Sequence, residues 1–208
     1  MNTLNIFDKV AKYYDLIASV VFGGQIKSSQ KYFLRYLNNS ENVLIIGGGT
    51  GWIAKEILLL YPKIKITYVE ASLRMIEETE QKLQQYADNV IFIHGTEESL
   101  PKEVEYDAII ANFFLDLFKE EQLQEVVSKL KRSTRKDSLW LVSDFQDKGV
   151  WWQRVLLRSM FLFFRFACGI HLKRLPNWKN LFSNSKFVVL DSKDFFRGFI
   201  HSVVYKIY

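Results

Sequence analysis

Val43-Leu44-Ile45-Ile46-Gly47-Gly48-Gly49-Thr50-Gly51 decides how the rest of this chain is read. The four apolar residues, rich in β-branched types, read as a strand buried on both faces. Four of the next five residues are glycine, and Trp52-Ile53-Ala54-Lys55-Glu56-Ile57-Leu58-Leu59-Leu60 then opens a helix-like run. A strand that turns through glycine into a helix aims backbone N–H groups and a positive dipole end at one spot. Without Cβ atoms, the loop lets a ligand approach the main chain closely. A glycine-rich turn that holds no ligand is the alternative, and the downstream segments decide between the two.

Working outward, Pro62 ends the helix, and Ile64-Lys65-Ile66-Thr67-Tyr68-Val69-Glu70 alternates as a second strand. Glu70 stands at its carboxyl end, where an acid can accept both hydroxyls of a ribose. Ser72 is placed to cap a helix over 73–86, and Met75 can pad a bound base or fill core. Val90–His94 reads as the third strand, Tyr106–Asn112 as the fourth and Ser138–Phe145 as the fifth, with a helix over 119–132 between the last two. His94 at a strand end is read as a packing residue. Phe187–Leu190 and Ile200–Ile207 close the sheet, with Gly198 supporting a turn before the last strand. Upstream, apolar residues at 6, 7, 10, 14 and 17 predict a helix over 5–22, stopped by Gly23-Gly24, and a second helix runs from Gln25 to Leu37.

These motifs carry a family resemblance. Gly47-x-Gly49-x-Gly51 after the strand resembles motif I of the class I S-adenosylmethionine-dependent methyltransferases. Ala71-Ser72-Leu73-Arg74-Met75-Ile76 after Glu70, and Gly95-Thr96-Glu97-Glu98-Ser99-Leu100-Pro101, are similar to two further segments of that family. Phe7-Asp8-x-x-Ala11-x-x-Tyr14-Asp15 is similar to the N-terminal cap of its ubiquinone/menaquinone-type members. The resemblance covers about residues 5–145 and again 186–208. It implies an α/β doubly wound, mostly parallel seven-stranded sheet with an antiparallel last strand. It divides a single domain into a helical cap (1–40), a cofactor-binding core (41–145), a substrate-side insert (146–185) and closing strands (186–208).

The same resemblance implies S-adenosyl-L-methionine as cofactor, held by Tyr14, Gly47, Gly48, Gly49, Gly51, Glu70, Ala71, Met75, Thr96, Glu97 and Asn112. Thr96 stands where the family carries an aspartate for the adenine amino group, and Glu97 is the neighbouring substitute. Ile45 stands where relatives carry an acid near the methionine amino group, a role left to Asp144 or Asp15. Asp116, in an aromatic setting, and Asp144, at the end of the fifth strand, are the candidate catalytic or substrate-binding acids; capping the helix from 119 is the alternative for Asp116.

The totals set the class. With 208 residues and 49% hydrophobic content the chain is one globular domain. One cysteine excludes an internal disulfide framework, so a reducing, cytoplasmic setting is expected. No secretory signal or spanning helix is legible, and three scattered histidines and one cysteine make no zinc site. Residues 1–145 carry a net charge of −3 and residues 146–208 one of +8.

That asymmetry points to an anionic partner, or else to a solvated basic surface. Within the basic part, residues 150–172 form an apolar helix with two tryptophans and with Arg154, Arg158 and Arg165 on one narrow stripe. Such a helix suits peripheral membrane contact, the wall of an apolar pocket, or a plain sheet cover. A small hydrophobic or lipid-like methyl acceptor follows as the expected partner. The alternatives are an RNA methyltransferase, a non-catalytic S-adenosylmethionine-binding protein, and an NAD-dependent dehydrogenase through Gly49-Thr50-Gly51-Trp52-Ile53-Ala54.

Overall fold

The computed structural model describes residues 21–168, 174–183 and 186–208. The helix expected over 5–22, with Tyr14 and Asp15 on it, lies almost wholly outside the described residues, as do residues 169–172 of the expected helix over 150–172.

Seven strands form one sheet: β1 (Asn42–Ile46), β2 (Lys65–Glu70), β3 (Val90–His94), β4 (Tyr106–Asn112), β5 (Thr134–Phe145), β6 (Phe187–Phe195) and β7 (Ile200–Ile207). Their order is β3-β2-β1-β4-β5-β7-β6. The first five are parallel neighbours, and β7 runs antiparallel to both β5 and β6. The dinucleotide order, in which a sixth parallel strand follows the fifth, is therefore not this one. The sheet reverses direction at β1, between β2 and β4, so a crevice opens at the carboxyl ends there.

Side-chain alternation along β1 explains why the sheet is covered twice. Val43 and Ile45 join one apolar cluster, Leu44 and Ile46 the other. On the first face, helix α1 (Gln25–Lys31), the 3-10 turn Leu34–Leu37 and helix α2 (Trp52–Leu60) pack down; α2 buries Ile53, Ala54, Ile57 and Leu58. Helix α3 (Leu73–Lys82) stands beside β2 and β3. On the second face lie helix α4 (Glu120–Arg132), through Leu123, Val126, Val127 and Leu130, and the short helix α6 (Trp178–Ser183), through Trp178 and Phe182. Helix α5 (Trp151–Cys168) covers neither face. It lies against a third cluster, built around Phe22, Phe145, Phe195, Phe199 and Ile200, beyond the carboxyl end of β5.

Several boundaries differ from the periodicity. The helix expected from Gln25 to Leu37 breaks after Lys31 and resumes as a 3-10 turn at Leu34, where Arg35 and Tyr36 reach across to the carboxylate of Asp191 at 2.8 and 3.1 Å. The helix expected over 73–86 ends at Lys82 and continues as an irregular 3-10 segment, Gln84–Asn89. Strand β5 begins at Thr134 rather than Ser138; its first residues are charged, and Asp137 takes a left-handed φ of 66° at the irregularity. Strand β6 runs to Phe195, past Leu190, because pairing with β7 carries the polar run Asp191–Asp194 along the sheet edge. Charged side chains on an edge strand also discourage further strands from adding there.

The second face gives a direct test. Trp140 is fully buried against Phe182 and Phe187, with ring centroids 5.6 and 5.1 Å away. Trp140→Ala should cost about 3–5 kcal/mol in urea denaturation. A loss under about 1 kcal/mol, the range of surface changes, would mean that β5 does not hold α6 in place.

Candidate functional site

The glycine loop is fastened to the end of β2. Gly47 and Gly48 donate their N–H groups to the carbonyl of Val69 at 2.9 and 3.2 Å. Gly49 donates to the Glu70 carboxylate at 2.8 Å, and Gly51 to the Gly48 carbonyl at 3.5 Å. These donors therefore point into the protein, and the expectation that they face a ligand does not hold. What the loop offers outward is surface without side chains. Gly47, Gly49 and Gly51 have φ of 64°, 64° and 76°, a region where glycine carries no steric cost.

Close packing fixes the remaining glycine positions. A Cβ on Gly48 would lie 2.2 Å from the Tyr68 ring, and one on Gly51 would lie 2.2 Å from Thr79, whereas one on Gly49 would meet nothing within 4 Å. Tyr68, fully buried in β2, donates its hydroxyl to the Gly49 carbonyl at 2.7 Å. Tyr68 and Thr79 were not legible as site residues, because an alternating strand and an amphipathic helix predict only that they are buried. The signal that could have found them is a volume argument: three glycines leave a gap that nearby side chains must fill.

Glu70 is the pivot. It is only 6% exposed, and its second oxygen accepts the N–H of Ser72 at 2.9 Å. One carboxylate thus ties the glycine loop to the start of α3. Ser72 caps that helix by accepting from the Met75 N–H at 3.2 Å. Met75 is buried beside it, and the Ala71 carbonyl lies 3.1 Å from a ring nitrogen of His94. The N–H of Gly95 returns to the Glu70 carbonyl at 3.0 Å, so the loop after β3 starts next to Glu70. Thr96 is exposed there and accepts from the Glu98 N–H at 3.3 Å, with Glu97 half-buried in the same turn. Gly47, Gly48, Gly49, Gly51, Glu70, Ala71 and Met75 are brought together at the carboxyl ends of β1 and β2, with Thr96 and Glu97 on the adjoining loop.

The other side of the crevice belongs to β4 and β5. Asn112 is half-buried at the end of β4. Phe113 follows with φ 51°, unusual for a bulky residue, and donates its N–H to the Ser143 carbonyl at 2.7 Å. Phe114 comes back against Gly47, where a Cβ would meet its ring at 2.7 Å. Asp144 is completely buried. One oxygen accepts the Leu115 and Asp116 N–H groups at 3.0 and 3.2 Å, and the other accepts that of Phe145 at 2.7 Å. Its carboxylate holds the turn Leu115–Leu117 and faces no open space, so it cannot take the role left open by Ile45. Ile45 itself is 1% exposed, within the sheet.

Asp116 sits beside Asp144, and its Oδ1 is buried without a hydrogen-bond partner among the described residues. Burial pushes its pKa up to about 7. Burial, and then the neighbouring Asp116 charge, push Asp144 well above the usual carboxylate range too. Among the described residues no group of three or more His, Cys, Asp or Glu side chains is placed to hold a metal.

A reversing sheet with a bare glycine loop at its first crossover, an acid ending the second strand and an antiparallel strand inserted beside the fifth define the Rossmann-like methyltransferase architecture. The comparisons agree. Residues 43–137 match the family described as "Methyltransferase domain". The malonyl-[acyl-carrier protein] O-methyltransferase of Priestia megaterium is 31% identical over 139 residues, 67% of this chain and 49% of that protein. The demethylmenaquinone methyltransferase of Thermotoga maritima is 30% identical over 139 residues, 64% of this chain and 59% of that protein. The chain therefore spans only about half the length of the relatives it matches. In fold it is similar to the Burkholderia thailandensis 1,6-didemethyltoxoflavin-N1-methyltransferase, solved with 1,6-didemethyltoxoflavin and S-adenosylhomocysteine: TM-score 0.72, 14% identity, 97% of this chain and 86% of that one.

The chain belongs to the class I S-adenosylmethionine-dependent methyltransferases. The residues present fit that cofactor. Gly49 leaves open surface on the main chain next to Glu70, bare enough for a flat ring to approach.

Asp116 carries a pH prediction. The folded state keeps its proton to about pH 7, whereas an unfolded chain releases it near pH 4. The native state binds more protons in that window, so stability is greatest below it and falls as pH rises through about 7. Asp116→Asn, which stays neutral, should flatten this limb in denaturation midpoints compared at about pH 5 and about pH 8. Parallel profiles for the two proteins would remove Asp116 as the cause.

Proposed function

We propose that this protein transfers the methyl group of S-adenosylmethionine to a small acceptor with an apolar body. The observation that carries the reading is the Glu70 carboxylate tied at once to Gly49 and Ser72, one strand from the point where the sheet reverses. In this reading Gly47, Gly48, Gly49 and Gly51 form the floor under the cofactor, Glu70 takes the ribose, and Ala71 and Met75 line the base. Thr96 and Glu97 stand at the base's amino edge, and Asn112 stands towards the methionine part. Tyr14, outside the described residues, would close over the cofactor from the cap.

The bound cofactor supplies a methyl group already on a good leaving group, so the chain's own work is alignment and exclusion of water. Phe22, Phe113, Phe145 and Phe199 pack as one aromatic group around the ends of β4 and β5. Beside it lies a hollow of about 450 Å³ lined by Val21, Phe22, Gly23, Gln25, Phe196 and Arg197. The hollow is open and its lining mixed: Val21, Phe22 and Phe196 suit an apolar body, Gln25 a polar group and Arg197 an anionic one. Asp116 is the group able to take a proton near neutral pH where the acceptor must lose one. Asp144 acts through it, as a positioning residue that orients the turn carrying Asp116. Of two relatives, one named for malonyl-[acyl-carrier protein] and one for demethylmenaquinone, the second supports an acceptor with an apolar body and the first an anionic group on it.

Binding and turnover test the reading separately. Glu70→Gln and Glu70→Ala should weaken S-adenosylhomocysteine binding by calorimetry about tenfold or more, the 1–3 kcal/mol of a charge-assisted hydrogen bond. Equal affinity in all three proteins would remove Glu70 from the site. Labelled S-adenosylmethionine incubated with a lipid extract and with small quinols should label an organic-extractable product. Firm cofactor binding with no product in either pool would leave the chain as a binding protein.

A further inference from the structure

We infer that the outward face of α5 docks on the surface of an anionic lipid bilayer. The helix is two-sided. Gln153 and Leu157 are buried, and Trp152, Leu156, Met160 and Phe161 pack against the aromatic cluster. The outward side carries Trp151 (75% exposed), Val155 (54%), Leu162 (55%) and Phe166 (80%). At 100° per residue these four fall within about 60° of one another, along roughly 22 Å of helix. Arg154, Arg158 and Arg165, all exposed, fill the adjoining strip of about 40°.

A continuous exposed apolar row of this kind marks an interaction surface rather than ordinary scatter. Arginines beside it can lie along the apolar row and carry their charge to headgroup level. Among the described residues neither Arg158 nor Arg165 has a carboxylate within ion-pair distance, and Arg154 has only Asp147 at 3.9 Å. The whole 146–208 part is basic, with a net charge of +8. An anionic leaflet satisfies both rows at once: tryptophan and phenylalanine enter the interface while the arginines meet phosphate.

Two other partners satisfy less of this surface. Nucleic acid would use the arginines, but the aliphatic Val155 and Leu162 give a phosphate or a base edge nothing to bind. A second copy joined by a two-fold axis would set the same arginine row against itself, with Arg158 near the centre of the contact. Among the described residues no helix is long and apolar enough to cross a membrane, so the contact is a surface one. Docking on a bilayer does not depend on which acceptor the enzyme uses.

Flotation of the full chain with phosphatidylcholine vesicles, with and without phosphatidylglycerol, tests this. The protein should float with the anionic vesicles and much less with the neutral ones. Trp151→Ser combined with Phe166→Ser, and separately Arg158→Gln combined with Arg165→Gln, should each reduce binding by roughly an order of magnitude or more. Both should leave S-adenosylhomocysteine binding unchanged, which also shows that the variants fold. The inference is overturned by wild-type protein that stays at the bottom at low salt, or by flotation that both double variants retain. It is overturned equally by a salt-sensitive RNA shift without vesicle binding, or by a dimer that the same substitutions dissociate.

Discussion

The Glu70 carboxylate is the constraint on which the site depends. It sits at the end of a buried strand, where an ion is costly unless its lone pairs are occupied. Backbone N–H groups from two different segments each bond one of its oxygens, Gly49 on one side and Ser72 on the other. Satisfying the acid therefore fixes the distance between the glycine loop and α3. Tyr68 and Thr79 fill the space that the missing Cβ atoms leave, so the loop is held from below by van der Waals contact and from the side by charge. A bare loop of this sequence in solution would have no reason to keep one shape. Here every glycine faces either a ring, a methyl group or open space.

Across the crevice the same residue type meets two different fates. Asp144 is fully buried and receives three N–H groups, which makes it part of the turn after β4. Asp116, within that same turn, has an oxygen with no partner among the described residues. Two carboxyls so close in an apolar setting cannot both be charged without large cost. Phe113, with a left-handed φ of 51°, stands between the end of β4 and the turn whose amides Asp144 holds. Backbone strain at that position is the kind that a surrounding fold must hold in place.

Much of this was legible in the residues. Short apolar or alternating runs bounded by glycine, proline and charged turns placed the five parallel strands, although the charged start of β5 was missed. The glycine spacing and Glu70 located the crevice. Three things stayed hidden. Strand β6 is half polar because it is an edge, so alternation fails there and only its partner reveals it. The direction of the loop N–H groups depends on Val69 and Glu70, neither of which lies in the loop. The division of labour between Asp116 and Asp144 turns on which oxygen reaches which amide, and spacing carries no trace of that. Ser72 was the opposite case: a cap is a local device, written within four residues, and the structure has it there.

The sheet order has a consequence for synthesis. Strand β7 lies between β5 and β6, so the last eight-residue strand to leave the ribosome is an inner one. Until it emerges, β5 offers a long unpaired edge with Leu139, Leu141 and Val142 along it, and β6 has nothing to pair with. A nascent chain stalled short of Ile207 would expose that edge to its neighbours, which is the situation in which strands from different molecules pair. The sheet thus closes on an inner strand, and its vulnerable interval is the time between the emergence of β5 and that of β7.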